Sequence, residues 1–217
     1  MSKKWVTSDH HFGHENIIKH CNRPFINAED MKEQMISRWN SVVRPNDLVY
    51  HLGDLFYHAK LKDAEDILDR LNGQIFFIEG NHDIRKVMSK LKHRFAGYES
   101  IHKITVAEHT VVLCHYAMRV WQNSVHGSWH LYGHSHGQLP EDPLSLSFDV
   151  GVDAGWDYTP VSEDQIVDKM NKKIEAMAGR CRDHGDNRFA AAARLGLQQG
   201  FEHYQESLKT QTRDRTR

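Results

Sequence analysis

Five short clusters of polar residues carry side chains of the kinds that bind metal ions. They are Asp9-His10-His11, Gly53-Asp54, Gly80-Asn81-His82-Asp83, His115 and Gly133-His134-Ser135-His136. Each cluster stands where an apolar run of the sequence ends. The chain also holds 17 histidines, and an excess of histidine is typical of metal binding or proton transfer.

The spacing within the clusters predicts that their side chains share one site. One residue separates Asp9 from His11, and one separates His134 from His136. In extended backbone such residues point to the same side. The glycines at positions 53, 80 and 133 would let the backbone turn beside a crowded site.

The donor types indicate two divalent ions. Carboxylate, amide oxygen and imidazole without thiolate favour Mn, Fe, Zn or Ni over a soft-metal site. One carboxylate can bridge two such ions held about 3.5–4 Å apart, and the pair then activates a water and clamps a phosphate.

The first half of the chain alternates strand and helix patterns. Residues 4–8, 47–52 and 74–79 read as buried strands, and residues 28–43 and 60–71 read as amphipathic helices. This alternation predicts a largely parallel sheet flanked by helices. In such sheets ligands bind beyond the carboxyl ends of the strands, where the polar clusters stand.

The second half predicts a second, mixed or antiparallel sheet. Its short strand patterns cover residues 100–107, 110–115, 129–132 and 145–152. Helical patterns follow at 163–177 and 189–208, with a polar break at 179–187 between them. We therefore expect a core at residues 1–162, a helical extension at 163–210 that packs on the core or serves oligomerisation, and a disordered tail at 211–217.

The five clusters, in this order over about residues 5–162, resemble the calcineurin-like metallophosphoesterases. The pattern of that family is D-x-H, G-D, G-N-H-D, a single H after a strand, and G-H-x-H. The segments SDHHFGHENII, RPF, WN, DLVYHLGD and DYTPVS resemble its small bacterial and phage branch. The resemblance implies an α/β fold, a four-layer sandwich of two mixed β-sheets flanked by helices, here with extra C-terminal helices.

The resemblance also implies a role for each cluster. Asp9, His11 and His136 would hold one metal ion, Asn81, His115 and His134 would hold the other, and Asp54 would bridge them. Mn²⁺ is the expected ion, and Fe, Zn or Ni also suit these donors. A hydroxide bridging the ions would attack the phosphorus of a phosphodiester or phosphomonoester.

The histidine that follows the Asn ligand has a separate expected role. His82 would act as the general acid at the leaving group, and Asp83 would orient its imidazole and favour its protonated form. His10 departs from the family pattern, and we expect it to face away from the site or to support a ligand.

Three further features leave alternatives open. His14 and Arg23 are candidate substrate-binding residues; Arg23 would clamp a phosphate oxygen or pair with a surface carboxylate. Trp121, Trp129 and Trp156 would stack a base or pack in strands and core.

The composition excludes some functions. The formal net charge of −1 gives no global signal for long nucleic acid. No apolar run approaches the roughly 18 residues of a membrane span, and three cysteines without a C-x-x-C pair fit a reducing cytoplasm. The expected partner is a phosphate-ester substrate, with a nucleotide among the candidates, and a homodimer is compatible with the extra helices. The alternatives are a non-catalytic scaffold of the same fold, and a nuclease or cyclic-nucleotide phosphodiesterase.

Overall fold

Two mixed β-sheets form the centre of the computed structural model, which describes residues 2–184 and the side chains up to residue 177. The strands of the first sheet are, in chain order, β1 (Lys4–Thr7), β2 (Leu48–His51), β3 (Gln74–Ile78), β4 (Gly97–Glu99) and β9 (Val161–Ser162). Their spatial order is β4-β3-β2-β1-β9. The first four are parallel, and β9 pairs antiparallel with β1.

The second sheet has four strands. They are β5 (Ile101–Val106), β6 (His109–Cys114), β7 (Trp129–Tyr132) and β8 (Ser147–Asp149), and they pair in this order. The hairpin of β5 and β6 is antiparallel, whereas β6, β7 and β8 run parallel. The mixed second sheet that the sequence predicted is therefore present.

Alternation along the strands separates two hydrophobic cores. Trp5 on β1 packs in a core with the helices, and its neighbour Val6 packs in the core that the two sheets share. Successive side chains on a strand point to opposite faces, so one strand serves both cores. The sheets and helices are thereby fixed to one another on both faces of β1.

Four helices belong to the first half of the chain. They are α1 (Glu15–His20), α2 (Ala28–Val42), α3 (Leu61–Arg70) and α4 (Arg85–Leu91). The helical periodicity predicted one apolar face of Met31, Met35, Trp39 and Val42 in α2; the first three are fully buried, and Val42 is half-buried. Asn27 caps this helix by accepting a hydrogen bond from the backbone N–H of Asp30 at 2.9 Å.

The last described helix, α5 (Glu163–His184), is longer than the sequence predicted. The polar break expected from residue 179 is wrong at its start, because a single glycine inside a helix costs only about 1 kcal/mol. Ile166 and Met170 on this helix are fully buried in the core between the sheets. The second predicted helix, 189–208, and the tail, 211–217, lie outside the described residues.

The predicted fold class is confirmed: two mixed sheets flanked by helices. Short helices α1 and α4 were not predicted, because six and seven residues provide fewer than about two turns of periodicity. No helix in the described part of the chain is long and apolar enough to span a bilayer.

Candidate metal centre

The carboxyl ends of the parallel strands bring three of the clusters together. The segment after β1 runs beside the segment after β2: Asp9 donates its backbone N–H to Gly53 O at 3.1 Å, and His11 donates to Asp54 O at 3.0 Å. The segment after β3 joins them, since the backbone N–H of His82 donates to the Asp54 carboxylate at 2.8 Å. The sheet thus positions the first half of the candidate centre.

The backbone at these clusters is left-handed rather than extended. Positive φ angles occur at Asp9 (63°), His11 (53°), Asp54 (55°), His134 (66°) and His136 (48°). The expectation that extended backbone aligns each i, i+2 pair is therefore wrong, although the side chains do converge. Non-glycine residues rarely adopt this region, and such strain concentrates at functional sites.

All three predicted glycines are required by close approach. A Cβ at Gly80 would lie 2.3 Å from Asp54 Oδ1, and a Cβ at Gly133 would lie 2.4 Å from Asp9 Oδ2. Gly53 has a φ of +93°, and a Cβ there would lie 2.6 Å from Gly80 Cα. Side chains at these positions would displace the carboxylates, so the crowding predicted from the sequence is present.

The seven predicted ligands form two groups that meet at Asp54. Donor atoms of Asp9, His11 and His136 lie within 4.8 Å of one another, as do those of Asp54, His115 and His134. Asn81 joins the second group, because its Oδ1 lies 2.8 Å from His115 Nε2.

Asp54 Oδ2 lies between the two groups. It is 3.5 Å from His11 Nε2 and 3.5 Å from His115 Nε2. Two donors bound to one ion at about 2.0–2.2 Å must come within about 4 Å of each other. One carboxylate oxygen at this distance from both groups can be shared by two ions.

Two of the histidines are oriented by their Nδ1 atoms. His115 Nδ1 lies 2.7 Å from the carbonyl of Leu52, and His136 Nδ1 lies 2.7 Å from Asp153 Oδ2. An Nδ1–H that donates to oxygen leaves the lone pair on Nε2, which is the tautomer of a metal-binding imidazole.

Among the predicted ligands, three buried atoms lack a hydrogen-bond partner within the described chain. They are Asp9 Oδ1, His11 Nδ1 and His11 Nε2. Burial raises the pKa of Asp9 well above its usual range and, together with the charge of His136, lowers the pKa of His11 to about 2. Burying such groups without partners is costly, and bound cations would satisfy the carboxylate and the lone pair. The residues therefore fit a divalent metal centre.

Arg23 supports the ligands from inside the protein and does not face the substrate side. Its side chain is buried and forms a bidentate pair with Asp153 at 2.8 and 2.6 Å. It also donates to the carbonyls of His10 and Asp9 at 2.9 and 2.8 Å. Arg23 thus pairs with a carboxylate, as one of its two alternatives predicted, but that carboxylate is buried rather than at the surface, and a phosphate clamp does not fit this placement.

His82 lies at the exposed rim of the centre. Its ring centroid is 5.2 Å from that of His11 and 5.3 Å from that of Tyr57. Asp83 is buried beneath the site, where Oδ2 accepts hydrogen bonds from the backbone N–H groups of Asp54 and Gly80 at 2.9 and 2.8 Å. Asp83 therefore fixes the backbone that carries the Asp54 carboxylate, and the expected orientation of the His82 imidazole by Asp83 is wrong.

The remaining candidates are divided between the rim and the core. His14 is half-buried at the rim, stacked on Tyr57 with ring centroids 3.5 Å apart. Trp129 is buried between the sheets, and the indoles of Trp121 and Trp156 donate to the carbonyls of Ser128 and Asp149. The core alternative for the tryptophans is thus the correct one.

His10 faces away from the centre, as one of its two alternatives predicted. It is fully buried, and its Nδ1 lies 2.9 Å from His51 Nε2. Both rings pack among the aromatic side chains of the helix-side core.

Sequence reasoning missed three residues of the site. Asp153 binds both Arg23 and His136, and Tyr57 and Tyr116 border the two ligand groups. Asp153 follows the apolar run that ends at Val152, which is the same signal that identified Asp9. The two tyrosines directly follow buried strands or bridges, but tyrosine at such positions is too common to indicate a site.

Comparisons with known proteins agree with this geometry. Residues 2–123 match the family model described as calcineurin-like phosphoesterase. An uncharacterised protein of Methanocaldococcus jannaschii is 38% identical over 178 residues, which cover 79% of this chain and 93% of that protein. The gene 66 protein of Mycobacterium phage L5 is 30% identical over 209 residues, and the match covers 79% of this chain and 95% of that protein.

A solved structure shares the fold. The crystal structure of a protein of unknown function from Aquifex aeolicus matches with a TM-score of 0.59 at 23% identity, covering 78% of this chain and all of that one. The family model covers more than half of the chain, and the residues of the family pattern form one centre that fits divalent metal ions. The chain therefore belongs to the calcineurin-like phosphoesterase family.

Proposed function

We propose that this protein hydrolyses phosphodiesters or phosphomonoesters with two divalent metal ions and with His82 as general acid. The observation that carries the proposal is the position of Asp54 Oδ2, which lies 3.5 Å from a histidine of each ligand group. A single-ion site would not need a buried carboxylate between two groups.

The assignment of ligands follows the two groups. Asp9, His11 and His136 would hold one ion, and Asn81, His115 and His134 would hold the other, with Asp54 shared. When bound, such ions activate a water as the nucleophile and neutralise the phosphate charge. The carbonyl of Leu52 and the Asp153 carboxylate keep the lone pairs of His115 and His136 directed at the centre.

In this proposal, His82 gives a proton to the leaving oxygen. Its side chain is exposed, while its backbone N–H is tied to the bridging carboxylate. This bond holds the imidazole beside the centre without burying it. A proton donor at this position contributes about 10²–10⁴-fold to the rate.

The first experiment tests the bridge. We expect chelator-stripped protein reloaded with Mn²⁺ to hydrolyse bis-p-nitrophenyl phosphate or p-nitrophenyl phosphate. The Asp54→Asn variant should lower turnover by about 100-fold or more, because it loses several kcal/mol of electrostatic stabilisation of the transition state. The metal content of this variant should fall below two ions per chain. Asp157→Asn, at an exposed aspartate paired with Arg38, is the matched control and should keep both values.

Two results would contradict the proposal. The first is an Asp54→Asn variant with unchanged turnover and metal content. The second is wild-type protein that binds two ions but hydrolyses neither ester, which would favour the non-catalytic scaffold. Repeating the reload with Fe²⁺, Zn²⁺ and Ni²⁺ ranks the ions that these donors accept.

The role of His82 is tested by leaving groups of different basicity. We expect His82→Ala to lose more activity on phenyl esters than on p-nitrophenyl esters, because the more basic phenolate needs the proton more. His58→Ala removes an exposed histidine of the same rim, whose ring lies 4.4 Å from that of Tyr57, and should leave both rates unchanged. An equal loss on both esters would argue against proton donation by His82.

A further inference from the structure

A cleft of about 530 Å³ opens beside the metal centre at Asn81. We call it the Tyr116 cleft; its lining includes Glu79, Asn81, Arg85, Ser100, Ile101 and Tyr116. Asn81 belongs to the second ligand group, so the cleft is continuous with the place where a phosphate would bind. Its volume falls in the range of roughly 300–1,000 Å³ that is usual for small-molecule sites.

Two large apolar side chains are left open to water in this cleft. Ile101 at the start of β5 is 52% exposed, and Tyr116 is 47% exposed. The Tyr116 ring lies 4.9 Å from the ring of His115 and 4.8 Å from that of His134. The two metal-site imidazoles thus support one part of the tyrosine ring, and the remainder is free to pack against a planar group.

The charges of the cleft do not suit a second anion. Glu79 and Arg85 lie on the same wall, with Arg85 Nε 3.9 Å from Glu79 Oε1. Asp83 also lines the cleft, so two carboxylates and one guanidinium give no net positive potential for another phosphate. Glu79 and Arg85 offer hydrogen bonds to an uncharged ring. The cleft therefore matches a neutral planar group better than a phosphorylated one.

The general acid lies on the other side of Asp54. His82 and Tyr57 border the first ligand group through His11, whereas Tyr116 borders the second group through His115 and His134. The arm of a substrate that leaves must end near His82. An arm that stays on phosphorus has the Tyr116 cleft available to it, and a phosphomonoester has no such arm.

We propose that the physiological substrate is a phosphodiester whose retained arm carries an uncharged aromatic ring, of aryl or nucleobase size, bound in the Tyr116 cleft. This inference rests on the proposed function. Water supplies a hydroxyl group to phosphorus, the bond from phosphorus to the leaving oxygen breaks, and that oxygen takes a proton. The products are an alcohol and a phosphomonoester that still holds the ring-bearing arm.

Two diesters with the same leaving group test the proposal. Bis-p-nitrophenyl phosphate retains an aryl arm, and methyl p-nitrophenyl phosphate retains only a methyl group. We expect Tyr116→Ala to lower kcat/KM for the aryl diester about five- to tenfold more than for the methyl diester, mainly through KM, because ring stacking is lost. Comparing each variant with wild type cancels the different intrinsic reactivities of the esters.

Further variants separate stacking from damage to the centre. The quantity compared is the ratio of kcat/KM for the aryl diester to kcat/KM for the methyl diester. Tyr116→Phe keeps the ring and should keep the wild-type ratio, whereas Ile101→Lys should lower this ratio as Tyr116→Ala does. Val125→Ala changes an apolar residue that is 70% exposed outside the cleft and should leave ratio and activity unchanged. Metal content is measured for each variant, since Tyr116 contacts two predicted ligands.

The outcomes distinguish this inference from the proposed function. Loaded wild-type protein that hydrolyses no ester would overturn the proposed function. The cleft assignment alone would be overturned if both diesters are hydrolysed and the ratio of their kcat/KM values stays within twofold of wild type in Tyr116→Ala and Ile101→Lys. A wild-type preference for p-nitrophenyl phosphate over the aryl diester would also overturn it, because the monoester leaves the cleft empty.

Discussion

At the scale of single residues, Arg23 supports the candidate metal centre from inside the protein, although no ligand pattern includes it. Arg23 joins the Asp153 carboxylate to the backbone carbonyls of Asp9 and His10. Asp153 in turn holds His136. Burial opposes ionisation of Asp153, but its hydrogen bonds to His136 and Arg23 prevail and lower its pKa. A positive guanidinium can therefore lie near a cation site because a carboxylate stands between them.

Removing Arg23 should cost far more than removing a surface arginine with a similar partner. In Arg23→Ala the buried Asp153 loses its counter-charge, and breaking a buried pair costs about 3–5 kcal/mol of unfolding free energy. Arg38→Ala breaks the more exposed pair with Asp157 and should cost at most about 1 kcal/mol. Urea denaturation of both variants measures the difference.

A positioning role also predicts an effect on metal binding. Loss of a group that orients a ligand lowers metal affinity about 10–100-fold, so Arg23→Ala should lose one ion to a chelator before wild type does. Equal destabilisation by the two arginine variants, or an unchanged metal affinity in Arg23→Ala, would contradict the role given to Arg23.

At the scale of elements, the centre is made by segments that follow strands and approach each other closely. Parallel pairing of β1, β2 and β3 places their carboxyl ends side by side. The chain then turns through left-handed residues, so that the carboxylates of Asp9 and Asp54 fit against Gly133 and Gly80. Little space remains in which the ligands could rearrange.

Gly80→Ala tests this packing. A Cβ at position 80 would lie 2.3 Å from Asp54 Oδ1 and 2.5 Å from Asp54 N, so Asp54 must move. We expect fewer than two ions per chain and a lower melting temperature, measured by metal analysis and thermal unfolding. Gly155→Ala is the control: it meets nothing within 4 Å and carries only the left-handed penalty of about 1–2 kcal/mol. Full metal binding by Gly80→Ala would show that the two segments are not packed as described.

At the scale of the whole molecule, the sequence predicted the sheets and long helices better than the conformation of the backbone at single residues. Hydrophobic periodicity is a property of the sequence itself, so the long helix α2 and the strands β1, β2 and β3 were predicted nearly to their ends. The C-terminal end of α5, the short helices and the short strands β4 and β9 depend on tertiary packing, which the pattern does not contain. The role of Asp83 depends on which groups its carboxylate contacts, and a sequence motif does not show those contacts.

The predicted site residues lie close together, as the sequence indicated, but the residues that support them were not predicted. A family pattern names ligands by order along the chain, and all seven lie together. Arg23 and Asp153 are 130 residues apart, and their pairing follows from the fold alone. The left-handed φ angles of five ligands likewise could not be foreseen, since Asp and His adopt that region only when the surrounding structure enforces it.

Buried histidines should make the stability of the molecule depend on pH. His10 and His51 are fully buried, and burial is the main cause that lowers both pKa values, that of His10 to about 3. Below about pH 6.5 the unfolded chain therefore binds protons that the folded protein does not. The unfolding free energy should fall as the pH is lowered from about 6.5 towards 3, by up to about 1.4 kcal/mol per pH unit for each histidine.

His51→Phe removes one of these contributions, together with the hydrogen bond between His51 Nε2 and His10 Nδ1. The new ring can keep the stack on Phe77, which lies parallel to His51 with centroids 5.6 Å apart, but it cannot take up a proton. We expect the slope of unfolding free energy against pH between 6 and 4 to become shallower by up to about 1.4 kcal/mol per unit, measured by urea denaturation in chelator. Phe77→Leu disturbs the same stack without removing a titratable group, so it should lower stability and keep the slope.

Burial raises the pKa of Asp83 to about 7, which opposes the effect of the histidines on stability in this pH range, but Asp83 is present in every variant and its contribution cancels. Equal slopes in wild type and His51→Phe would mean that His51 is not held neutral by burial.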